Sequence, residues 1–86
     1  MTQAPVRRLT NLLRQILRIT IRDGRIYLGT FAGMDKPLNI LLVNAEEYRV
    51  RQNGIGGRFV GQVLVPWHLV VKVESQSYAV ELNHYL

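Results

Sequence analysis

Gly24-Arg25-Ile26-Tyr27-Leu28-Gly29, with Asp35-Lys36-Pro37-Leu38-Asn39 following it, carries the strongest architectural signal in the chain. Glycines inside a β-rich stretch mark sharp bends or close backbone approach, as strongly curved small sheets require. Asp35 and Asn39 frame a tight connection, and an asparagine there stabilises the loop by side-chain to backbone hydrogen bonds. On the N-terminal side, Leu17, Ile19 and Ile21 alternate with Arg18, Thr20 and Arg22. That period of two is a half-buried strand. Asp23-Gly24 joins the two runs and predicts a type I′ hairpin turn, since glycine tolerates positive φ.

Arg25 to Met34 reads as the second strand, with Gly29 and Gly33 inside it. Leu38 to Val50 reads as the third, and its Ile40-Leu41-Leu42-Val43 core predicts burial on both faces. Gln52 to Gly57 predicts a flexible hairpin loop. Arg58–Val65 and His68–Glu74 complete the set, separated only by Pro66 and Trp67. Ahead of the strands, Val6, Leu9, Leu12, Leu13 and Ile16 recur at spacings of three and four, so residues 5–16 predict an amphipathic helix. Pro5 suits its first turn, and Arg7, Arg8 and Arg14 lie opposite the apolar arc. The tail is open: Tyr78, Val80 and Leu82 alternate like a strand, while Tyr78, Leu82, Tyr85 and Leu86 keep helical spacing. A tail so apolar docks on this domain or on another chain. One helix and five strands in meander order predict an all-β fold, a five-stranded, strongly bent antiparallel sheet closing towards a small open barrel. The expected organisation is a single domain over residues 1–86, with helix 5–16, barrel 17–74 and tail 75–86.

Eighty-six residues rarely hold two independent cores. With 48% apolar and 20% charged residues the chain is globular, not disordered. The absence of cysteine excludes disulfides and thiolate metal sites. Met1 to Arg8 contains no apolar signal core. The longest stretch free of charge, Phe59 to Val71, includes Gln62, Pro66 and His68 and is too short and polar to span a bilayer. A soluble cytoplasmic protein with no membrane partner is expected. The net charge of +5 invites phosphate contacts, but a basic domain meeting an acidic partner or acidic neighbours is the preferred reading.

Catalysis finds little support. His68 and His84 are the only histidines, and Ser75 and Ser77 have no sequence element suggesting a positioned base. Glu46 and Glu47 point to opposite faces if extended, which suits a solvated strand edge better than a carboxylate pair. Gly54-Ile55-Gly56-Gly57 lacks the following helix, lysine and hydroxyl residue of a phosphate-binding loop. The expectation is no catalytic residue, no metal site and no cofactor.

In family order, the helix, the isoleucine-rich first strand, Gly24 to Gly29, Phe31, Asp35, Leu38-Asn39 and the short final strand pair resemble the Sm/LSm family over residues 5–74. The resemblance implies a five-stranded bent sheet capped by the helix. It also implies rings formed by pairing the fourth strand of one subunit with the fifth of the next. RNA-binding members carry a base-stacking side chain two residues after the Asp and an Arg-Gly pair in the second motif. Here those positions hold Pro37, Pro66 and Trp67. Asp35, Asn39 and Trp67 are the residues that an RNA site would use, and that site is incomplete without the guanidinium.

A closer resemblance accounts for the departures. Asn44-Ala45-Glu46-Glu47-Tyr48, Arg58-Phe59-Val60-Gly61-Gln62-Val63-Leu64-Val65-Pro66 and the Val65-Pro66-Trp67-His68 run look like the Sm-like auxiliary subunits of the NatC N-terminal acetyltransferase complex. That resemblance implies a noncatalytic subunit of a heterotrimer, beside a GNAT-type catalytic subunit and a large scaffold subunit, with possible association with the ribosome through the complex. The complex acts on nascent chains beginning with Met and a bulky apolar residue, and acetyl-CoA is expected only on the catalytic partner. The alternative is a diverged LSm ring subunit that binds RNA. Both final strands are apolar edges that want covering, so the expected partner surface comprises Phe59, Val60, Val63, Trp67, His68, Leu69 and Val71, with Arg7 and Arg14. Phe59 is open between core and interface. Trp67, in a tight turn, is expected to be exposed as an aromatic anchor.

Overall fold

The structure, a computed structural model, describes residues 10–51, 54–76 and 79–81. Six antiparallel strands form one sheet: β1 (Ile16–Ile21), β2 (Arg25–Met34), β3 (Ile40–Arg51), β4 (Gly54–Val65), β5 (Val70–Glu74) and β6 (Ala79–Glu81). Their spatial order is β4-β3-β2-β1-β5-β6. The five predicted strands are all present, and the tail adds a sixth by pairing Val73 with Val80. Over Ala79–Glu81 the tail is a strand, while Tyr78, Leu82, Tyr85 and Leu86, which carry the helical spacing, lie outside the described residues.

The topology itself forces the bend. Val65 ends β4 and Val70 begins β5, yet three strands stand between them. Four strand spacings in a flat sheet span about 19 Å. Five fully extended chain steps reach only about 17 Å, and the connection is a compact 3-10 turn, Trp67–Leu69. The sheet therefore curls until its distant strands approach. Bends are supplied by register shifts near Gly29, Gly33 and Gly61, with Asn44 at φ 52° on β3. Such bulges raise local twist and curvature.

Alternation places Leu17, Ile19 and Ile21 inside, as the sequence predicts, with Phe31, Ile40, Leu42, Ala45, Val65, Val70 and Val73. Leu41 and Val43 are only half-buried, so β3 has one buried face and not two. The hairpin after β1 also differs from expectation. The Gly24 N–H donates to Ile21 O at 3.0 Å, and Gly24 has φ 93°, but Asp23 does not have positive φ. This is a three-residue loop whose last residue is left-handed, not a type I′ pair. Asp23 locks it by accepting the Arg25 N–H at 2.9 Å.

The first five residues of the predicted helix, 5–9, lie outside the described residues. Its predicted end is corrected: residues 11–14 form turns, Arg14 has φ 71°, and β1 already begins at Ile16. The cause is pairing with β2, because the Arg14 N–H donates to Phe31 O and the Phe31 N–H to Gln15 O. Leu12 packs into the core, whereas Leu13 and Ile16 are exposed. The flexible loop expected over Gln52–Gly57 is also shorter, since Gly54, Gly56 and Gly57 pair with β3. The Tyr48 ring lies across Gly57, where any Cβ would collide with it.

Candidate partner-binding surface

β4 is an outer strand of the sheet, and its side chains decide what that edge presents. Val65 is buried opposite Ile40, so parity turns Val63 inward and Leu64 outward. The bulge at Gly61, φ 79°, then changes the phase. Phe59 consequently stands outside, 68% exposed, and Leu64 is 52% exposed. Val60 and Val63 pack partly against the core. Phe59 is thus resolved as a surface residue, while Val60 and Val63 are half-withdrawn from any partner. Leu64 is an exposed apolar residue of this strand that sequence reasoning did not single out. Its signal was its place between Val63 and Val65, but only with the strand's facing known.

Trp67 corrects the sharpest expectation. The turn is closed by Leu69 N–H donating to Pro66 O at 3.0 Å and by Val70 N–H donating to Trp67 O. That geometry folds the indole inward until Trp67 is 9% exposed, within the main core cluster. A tight turn can bury a large ring here because it crosses the open end of a curled sheet. His68 remains exposed, Leu69 is half-buried and Val71 is 38% exposed. The outer edge of β5 is occupied by β6, so among the described residues the expectation of two open edges is replaced by one long open edge, β4. Arg14 is exposed, and Arg7 lies outside the described residues.

The residues of the alternative RNA site are not brought together as a free pocket. Asp35 Oδ1 accepts the Asn39 backbone N–H at 2.8 Å, and Oδ2 accepts the Asn39 side-chain amide at 3.0 Å. Leu38 takes φ 65° between them and packs on the core. The loop is held by the Asp35 carboxylate, with Asn39 donating, which reverses the side-chain role expected of the asparagine. Pro37 is exposed but offers neither a π face nor a donor. Trp67 is too deeply packed to present a stacking platform.

A polar cluster covers the hairpin end of the curled sheet. Glu47 accepts from the Tyr27 hydroxyl at 2.9 Å and from Arg58 Nε at 3.1 Å, with Arg25 Nη1 at 3.9 Å. Arg25 Nε lies 3.1 Å from Asp23 Oδ2, an ion pair without hydrogen-bond alignment. Arg49 also approaches Asp23, at 4.0 Å. The Tyr27 hydrogen bond, followed by Arg58 and Arg25, holds the Glu47 carboxyl below its ordinary range against an opposing desolvation. Burial, with Glu47, pushes the Tyr27 phenol up while Arg25 pulls the other way. Glu46 points the other way and accepts from Tyr48, raising that phenol. The two glutamates do lie on opposite faces as predicted, but Glu47 is a structural ion-pair partner rather than a merely solvated edge. Among the described residues no cluster of His, Asp or Glu could hold a metal ion. No helix among them is long and apolar enough to cross a membrane.

The bent sheet, its short crossing turn and the self-bonded Asp35–Asn39 loop define the class. The LSM domain model matches residues 7–73, and the chain belongs to that family. Among its relatives is a NatC auxiliary subunit, N-alpha-acetyltransferase 38 of Danio rerio, 32% identical over 81% of this chain and 67% of the relative. The Drosophila melanogaster counterpart is 39% identical over 78% of this chain and 54% of its own length. A small nuclear ribonucleoprotein-associated protein B of Dictyostelium discoideum is 35% identical over 71% of this chain, which spans only 24% of that protein. Two solved structures extend the likeness. A chain in the crystal structure of the NatC complex bound to CoA superposes with TM-score 0.64 at 26% identity, covering 76% of this chain and 79% of that one. A Sm-like archaeal protein from Pyrobaculum aerophilum gives TM-score 0.65 at 27% identity, over 83% of this chain and 50% of its own.

Proposed function

We propose that this chain is a noncatalytic auxiliary subunit of a NatC-type N-terminal acetyltransferase complex. The observation that carries the reading is the match, over most of the chain, to relatives named NatC auxiliary subunits and to a chain of the NatC complex. The surface supports it physically. The open β4 edge offers main-chain hydrogen bonds for strand addition, and exposed Phe59 and Leu64 add apolar area beside it. In this reading a GNAT-type catalytic subunit holds acetyl-CoA, a large subunit forms the scaffold, and this chain stabilises them. The substrates are nascent chains starting with Met and a bulky apolar residue, met in the cytoplasm near the ribosome.

Coexpression with both other subunits tests the proposal. The three chains should co-purify and acetylate a Met-Leu peptide, while the isolated chain transfers nothing. Acetyl transfer by the isolated chain, or its absence from the purified complex, overturns the reading. The ribonucleoprotein relative keeps a second reading in play, an RNA-binding ring subunit. Submicromolar binding of oligo(U) with steep salt dependence would favour that one, because phosphate contacts dominate such affinity.

A further inference from the structure

We infer that β6 is a built-in cap: it occupies the outer edge of β5 and so prevents copies of this chain from closing into a head-to-tail ring. The inference rests on the sheet edges alone and is independent of the acetyltransferase reading. Head-to-tail assembly of identical sheets needs two open edges on each copy, one to accept the next copy and one to be accepted. β4 is one such edge, running from Gly54 to Val65. The other would be β5, but its outer side is already paired, with Lys72 opposite Glu81, Val73 opposite Val80 and Glu74 opposite Ala79.

Among the described residues the new outer edge is β6 itself, the three residues Ala79–Glu81, and a short edge is a poor template for another strand. The cap is also separable from the body. β5 is held on its inner side by β1, with Val70 and Val73 buried and Arg18 Nη1 2.8 Å from Glu74 Oε1. β5 therefore keeps its place when β6 leaves, and what leaves is three residue pairs. Release of β6 exposes on β5 an edge of unpaired main-chain groups, open to the β4 edge of a second copy.

The test compares the full chain with Val80→Pro, whose fixed φ and missing N–H disfavour a paired strand, and with a chain ending at Gln76. Light scattering after size exclusion, across a concentration series, reads the mass, and circular dichroism with thermal unfolding confirms a folded sheet. The full chain should keep one low mass, and both variants should rise severalfold to a discrete ring. A full chain that already forms a ring overturns the inference, as do folded variants that keep the parent's mass. Hydrogen exchange on the unaltered chain covers the case in which the variants fail to fold. Slowed exchange within residues 79–81 supports the cap, and exchange at the rate of an open peptide overturns it.

Discussion

Gly29 of β2 and the Ala45 methyl of β3 are packed so closely that a Cβ on Gly29 would lie 2.9 Å from Ala45 Cβ and 3.1 Å from Val43 O. Two of the three opposing atoms nearest that position are backbone, so no flexible side chain can yield. This contact sits where the β2–β3 register shifts and the sheet bends. Gly29→Ala should destabilise the chain by about 1–3 kcal/mol, the usual cost of overpacking. Adding Ala45→Gly should recover part of the loss, giving a coupling in a double-mutant cycle by urea unfolding. Additive effects would show that the two residues are not in close contact.

Trp67 and Phe59 should behave oppositely. Trp67→Ala removes a core side chain and should cost the isolated chain about 3–5 kcal/mol. Phe59→Ala removes an exposed ring and should change the isolated stability by less than about 0.5 kcal/mol. If β4 is the docking edge, the same Phe59→Ala change weakens assembly with the NatC partners by about 2 kcal/mol. Chemical denaturation of the isolated chain and titration calorimetry of the complex separate the two effects.

Glu47 makes stability sensitive to acid. Its folded-state pKa is lowered, so its contribution is present above the unfolded value and lost as pH falls through the folded one. The loss begins near the ordinary glutamate value of about 4.3 and continues below it. Glu47→Gln should lower stability at neutral pH and flatten the acid limb of the stability profile. An unchanged slope would exclude Glu47 as the titrating group.

Asp35 holds its loop with two acceptor oxygens, whereas Asn39 contributes one side-chain donor. Asp35→Ala should therefore destabilise more than Asn39→Ala, by about 1 kcal/mol, the net worth of one further hydrogen bond. Equal losses in paired thermal unfolding curves would mean that the backbone bond to Asn39 contributes nothing.

Local chemistry was readable from the chain alone. The period-two run Leu17–Ile21, the glycines at 24 and 29, the Asp35–Asn39 loop and the Sm-like order of these features follow from side-chain alternation and backbone conformational freedom, which act over a few residues. Even the opposite facing of Glu46 and Glu47 could be read, because successive side chains on a strand point to opposite faces. What tertiary structure alone decided were matters of phase and edge. The Gly61 bulge turns Phe59 outward, and a one-residue shift in a strand moves every later side chain to the other face. Pairing with Phe31 draws residues 14 and 15 away from helical geometry. Curling of the sheet creates the enclosed end that buries Trp67, a site assembled from strands far apart in sequence. At Ala79–Glu81 the tail's two periodicities were equally good until the β5 edge supplied backbone partners for a strand. Those partners come from a distant segment, so only the folded sheet could choose.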